Sequence, residues 1–208
     1  AGASFEYGEC YVNPADVALL YEHGDIDKRY GFVMGGGKPE GAFVPKKEDV
    51  VPPCAVKTLP VQDGDVFDLG GVQIEAIAVP GHTAGTMVYL DRARRVLYSG
   101  DACNANTLLG LPCSTTVETY AKSLDHLATY LKGVDKFYGG HGLQAVPAYI
   151  VDEAMILCEE ILSDADDRFE TEFLGRKFLY ARKFDGMFHR EDGGIANIAY
   201  VMEKVYNK

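Results

Sequence analysis

No His-x-His pair occurs anywhere in these 208 residues, and none of the five cysteines belongs to a Cys-x-x-Cys pair. An odd set of isolated thiols argues against a disulfide framework or a structural zinc knot and matches the reduced state expected of a cytoplasmic protein. No apolar run is long enough to span a bilayer, so no membrane partner is expected. The first residues, Ala1-Gly2-Ala3-Ser4-Phe5-Glu6, lack the basic and apolar segments of a signal peptide. Basic charge is scarce too. Twenty Lys and Arg stand against 31 Asp and Glu, for a formal charge of −11, so no nucleic-acid partner is expected. Internal repeats, low-complexity tracts and linker-like shifts in composition are missing, and residues 1–208 read as one domain with a sizeable core.

What is present is ordered. Asn13-Pro14 reads as an N-cap and first helical residue, and Gly24 as the stop. Periodicity then fades, so residues 25–60, with Gly35-Gly36-Gly37, Lys38 and Pro52-Pro53, read as a long loop or lid. Apolar runs on either side of Gly70-Gly71 predict a hairpin, as do those flanking residues 91–94. Apolar residues recur at helical spacing from Val117 to Leu131, and again after Pro147, which reads as a helix opening. Residues 134–138 and 195–201 read as strands.

Three glycine-bearing turns follow apolar runs: Pro80-Gly81-His82-Thr83-Ala84-Gly85, Ser99-Gly100-Asp101 and Gly139-Gly140-His141-Gly142. Each offers one residue type that binds metals, on a turn where strands of a sheet would converge. The chain therefore shows part of a metal site and lacks the rest. His23, at a helix end, and His126, off its helix's apolar stripe, read as structural or solvated; His189 has no supporting motif. Cys158 reads as core and Cys103, two residues past Asp101, as a thiol close to the presumed site.

Together these islands resemble the Gly-His-Thr, bridging-aspartate and last-histidine motifs of the metallo-β-lactamase-fold hydrolases, which include glyoxalase II-like thioesterases and lactonases. The resemblance implies an α+β fold, the αββα sandwich of that type without its first strands. It implies two zinc ions, with His82 on one, His141 on the other and Asp101 bridging as the catalytic carboxylate. The activity implied is hydrolysis of a small ester, thioester or lactone by a metal-bound hydroxide.

The family's first motif, His-x-His-x-Asp-His, is absent. Three readings follow: the chain is an N-terminally incomplete part of a metal-dependent hydrolase; it is an inactive binding or assembly module; or its missing ligands come from another chain of a homo-oligomer. Residues 102–116 contain no Lys or Arg, which disfavours a glutathione thioester held by its carboxylates. Leu108, Leu109, Leu111 and Pro112 suggest an apolar wall, and Lys38, Lys46 and Lys47 a source of charge.

Overall fold

Asn13 opens its helix as the sequence predicts. Its Oδ1 accepts from Ala15 N at 3.0 Å, and the 3-10 turn Pro14–Asp16 runs into an α-helix. A computed structural model of the chain describes residues 2–35, 41–141, 144–173, 175–185 and 188–208. The described chain forms two compact units, residues 1–61 and 62–208.

The first unit holds β1 (Glu9–Val12), α1 (Val17–Gly24), α2 (Ile26–Gly35) and β2 (Lys57–Pro60), with β1 and β2 paired in parallel. The expectation of a loop over residues 25–60 is therefore corrected, since a helix and a strand lie within it. The helix escaped notice because Phe32, Val33 and Met34 are all exposed, which leaves no one-sided apolar stripe. Asp25 marks its start, with Oδ1 accepting from Lys28 N at 3.0 Å. Residues 36–40, including Lys38 and two of the three consecutive glycines, lie outside the described residues. Lys46 pairs with Glu48 and Lys47 with Asp27.

The second unit begins with two hairpins, β3 (Val66–Asp68) to β4 (Gln73–Ala78) and β5 (Met87–Asp91) to β6 (Val96–Gly100). Gly70 and Gly71 take φ of +76° and +101° in the first turn, a region that only glycine enters at little cost. Next come β7 (Thr107–Leu108), α3 (Val117–Ala128), β8 (Lys136–Gly139), β9 (Val146–Pro147) and α4 (Ile150–Leu162). The chain closes with β10 (Phe169–Phe173), β11 (Arg176–Tyr180) and β12 (Ile198–Tyr200). Pro147 does not open a helix. It sits opposite Lys136 on an edge strand, where its missing N–H leaves no gap in the sheet, and α4 starts at Ile150.

The strands form a six-stranded sheet, ordered β3-β4-β5-β6-β8-β9, and a four-stranded one, ordered β10-β11-β12-β7. One core joins them. Ile77, Val88, Leu97 and Phe137 from the large sheet meet Leu124, Leu127, Ile150 and Leu157 from the helices and Ile198 and Tyr200 from the small sheet. The architecture is α+β with open sheets, as expected. β4 and β6 each run antiparallel to β5, and β8 runs parallel to β6. Hence β4, β6 and β8 point the same way and end on one edge of the sheet.

Glu153 of α4 anchors the approach to β12. Its Oε2 accepts from Ile195 N at 2.7 Å, Ala196 N at 2.9 Å and Arg190 Nη1 at 3.4 Å. Glu153→Ala would leave two backbone donors without their acceptor. We expect a loss of about 2 kcal/mol in denaturant unfolding, against a smaller loss for Glu153→Gln, which keeps an oxygen there.

Candidate functional site

His82, Asp101 and His141 follow β4, β6 and β8, so each occupies the same edge of the sheet. β6 and β8 are neighbours, whereas β5 separates β4 from β6. Neighbouring strands lie about 4.8 Å apart, so the turn carrying His82 has to reach further. The distances match this. His141 Nε2 stands 3.2 Å from Asp101 Oδ1, and His82 Nε2 stands 4.0 Å from Asp101 Oδ2. Asp101 thus lies between two imidazoles, in the order the sequence suggests. Gly142, beside His141, lies outside the described residues.

Each turn is built by local bonding. Thr83 N donates to Thr86 Oγ1 at 2.9 Å, and Val79 N donates to Thr86 O at 2.9 Å, closing the loop that carries His82. Gly100 takes φ +52° and accepts from Gly140 N at 2.8 Å, which ties the Asp101 turn to the His141 turn. A Cβ at Gly140 would come within 3.0 Å of Asp101 Oδ1. His82 Nδ1 lies 3.1 Å from Leu108 O. A carbonyl can only accept, so Nδ1 carries the proton and Nε2 keeps a lone pair on the Asp101 side.

Asp101 Oδ1 is the informative atom. It has no solvent surface and accepts no hydrogen bond among the described residues, although the His141 ring is close by. A buried carboxylate oxygen without a donor costs stability, as expected of a group kept for binding. The donor types suit zinc, but their number does not. His82 with Asp101, and Asp101 with His141, each supply two ligands, where a catalytic zinc takes three from the protein. Among the described residues, no group of three or more His, Cys, Asp or Glu is arranged to hold a metal ion.

Other candidates resolve as packing. Cys103 is buried and donates to Ile150 O at 3.7 Å; burial pushes its thiol up to about 12. Cys158 is buried in the same core. Leu109 is fully buried, and Leu108 and Leu111 pack on Phe178 and Tyr180. His126 pairs with Asp63 at 3.1 Å on the surface, and His189 pairs with Asp185 at 3.1 Å, also exposed. His126→Ala is expected to leave turnover unchanged and to shift stability by less than about 1 kcal/mol in a melting experiment, as for other exposed pairs.

Sequence reasoning missed Tyr120. It was legible only as one apolar position of α3, yet its ring lies under Gly81 and its hydroxyl donates to Ala102 O at 2.7 Å. One buried side chain therefore braces two of the three turns. A cavity of about 330 Å³ lies beside α4, lined by Glu153, Arg182, Arg190 and Asp192 among others. These charges pair with one another and read as a structural network.

The Metallo-beta-lactamase superfamily profile matches residues 9–141. An acyl-coenzyme A thioesterase, MBLAC2, from Bos taurus is 33% identical over 86 residues, covering 40% of this chain and 31% of its own length. A hydroxyacylglutathione hydrolase from Brucella anthropi is 36% identical over 101 residues, covering 47% and 36%. The chain thus spans about a third of the length of these curated relatives. Among solved structures, a metallo-beta-lactamase family protein from Thermus thermophilus superposes on 75% of this chain and 54% of its own, with a TM-score of 0.49 and 21% identity. No helix among the described residues is long and apolar enough to cross a membrane. A family match that takes in His82, Asp101 and His141 and well over half of the sequence settles the grouping: the chain belongs to the metallo-beta-lactamase superfamily.

Proposed function

We propose that this chain contributes His82, Asp101 and His141 to the metal centre of a thioester hydrolase whose remaining metal donors lie beyond these three residues. One observation carries the reading. Asp101 faces an imidazole on each side and keeps a buried oxygen that accepts no hydrogen bond among the described residues. The relatives support the reaction class, since both an acyl-coenzyme A thioesterase and a hydroxyacylglutathione hydrolase are among them.

Within this reading the chain's own residues have separate tasks. Asp101 supplies the negative charge that two cations would share. His82 offers Nε2 because Leu108 O holds its other nitrogen. His141, with its side chain 79% exposed, is the open side. The stretch 102–116 carries no cation, which disfavours recognition of a glutathione thioester by its carboxylates at this loop. The substrate is a small molecule; nucleic acid and membrane are not partners in this reading.

The shortage of donors favours a second reading, a binding or assembly module without catalysis. The two separate on one experiment. Acyl-coenzyme A and S-acylglutathione probes are offered to the protein with zinc, and a chelator is then added. Turnover that the chelator abolishes supports the hydrolase. Turnover that ignores the chelator overturns the metal assignment. No zinc uptake and no turnover, even when a segment bearing His-x-His-x-Asp-His is supplied, leaves the binding module.

A further inference from the structure

Lys204 closes the 3-10 turn Met202–Lys204 that follows β12. Its ammonium donates to three carbonyls of a single loop: Leu111 O at 2.6 Å, Pro112 O at 3.1 Å and Ser114 O at 2.5 Å. An ammonium has three N–H donors, and here each has a backbone acceptor. Fixing so long a side chain costs rotamer entropy. It holds in place a loop that has no regular hydrogen-bond ladder of its own.

That loop is the one on which the His82 turn leans. Thr115 N donates to Gly81 O at 2.8 Å, and Thr115 Oγ1 approaches the same carbonyl at 3.4 Å. Ser114 Oγ donates at 3.1 Å to Leu108 O, the carbonyl that also takes His82 Nδ1–H. A continuous path therefore runs from Lys204 Nζ to Ser114 O, through the Ser114 side chain to Leu108 O, and on to the imidazole. Carbonyls that orient a ligand histidine fix both its tautomer and its ring direction.

We infer that Lys204 is a positioning residue for His82, holding loop 108–115 so that the ring stays in the Nδ1–H tautomer with Nε2 toward Asp101. The inference rests on reading His82 as a donor of the site, but its test needs no metal.

The experiment compares long-range proton–nitrogen spectra of the His82 ring in the wild-type chain and in Lys204→Met, at a pH where the ring is neutral, with melting followed in parallel. The wild type should show the Nδ1–H tautomer alone. In Lys204→Met the Nε2–H population should rise at least about fivefold, the effect of losing one ordinary hydrogen bond's worth of bias. An unchanged tautomer overturns the inference even if melting falls, because a merely structural lysine would do that. A wild-type ring already mixed between tautomers overturns it as well. If Lys204→Met does not fold, Lys204→Ala, which also removes the donor, is judged by the same tautomer criterion. A tautomer shift in a protein with no metal-dependent turnover, even when a segment bearing His-x-His-x-Asp-His is supplied, would refute the hydrolase reading and leave the role of Lys204 intact.

Discussion

Asp101→Asn is expected to lower metal-dependent thioester turnover at least about 10³-fold, equivalent to ~4 kcal/mol of transition-state stabilisation, while the melting temperature stays level or rises. The two halves have one cause. Asp101 Oδ1 is buried and accepts no hydrogen bond among the described residues, so that oxygen costs the fold free energy and supports little around it. Asn keeps the shape packed against Gly140 and Gly100 while replacing a carboxylate that has one unsatisfied oxygen by a neutral amide. The same change removes the one anionic group between His82 and His141. Residues that break a local rule of stability in this way tend to be functional. Turnover and melting are measured together with zinc uptake. Turnover within a few fold of wild type would refute the assignment of Asp101, and loss of activity accompanied by a collapse in melting would mark the residue as structural.

How much of this could be read from the sequence depends on the range of each interaction. The three glycine-bearing turns were legible because each glycine-flanked His or Asp follows a run of apolar residues, a signal only a few positions long. Their convergence was a family resemblance in the sequence, and the strand directions explain it: β4, β6 and β8 are co-directional. The hairpin β10–β11 was missed although Phe169-Glu170-Thr171-Glu172-Phe173 alternates as a half-buried strand should, with Phe169 paired to Tyr180. Helix α2 gave no such sign, because Phe32, Val33 and Met34 in its second half face solvent. Lys204 could not have been found from sequence. Its carbonyl partners lie about ninety positions earlier, and no local pattern encodes them.

Gly81→Ala is expected to destabilise the fold by about 3 kcal/mol, the upper part of the range for overpacking, and to cut turnover about 10²-fold through displacement of His82. No unusual dihedral is involved, since Gly81 is not among the glycines with positive φ. The obstacle is Tyr120, whose Cδ2 would lie 2.4 Å and Cε2 3.1 Å from the new methyl. Its ring has no free end to swing aside. It is fully buried in the core, and its hydroxyl is bonded to Ala102 O at 2.7 Å. Nor can the turn retreat easily, because Ser123 Oγ holds Pro80 O at 2.7 Å and Thr115 N holds Gly81 O at 2.8 Å. Strain placed here therefore reaches the His82 turn directly and the Asp101 turn through Tyr120. A double-mutant cycle isolates the clash. Tyr120→Leu alone should cost stability by removing a buried ring and its hydrogen bond, but in that background Gly81→Ala should cost at least about 1 kcal/mol less than in the wild type. Strictly additive unfolding free energies would mean that the ring and the glycine do not constrain one another, and that something other than Tyr120 holds His82 beside Asp101.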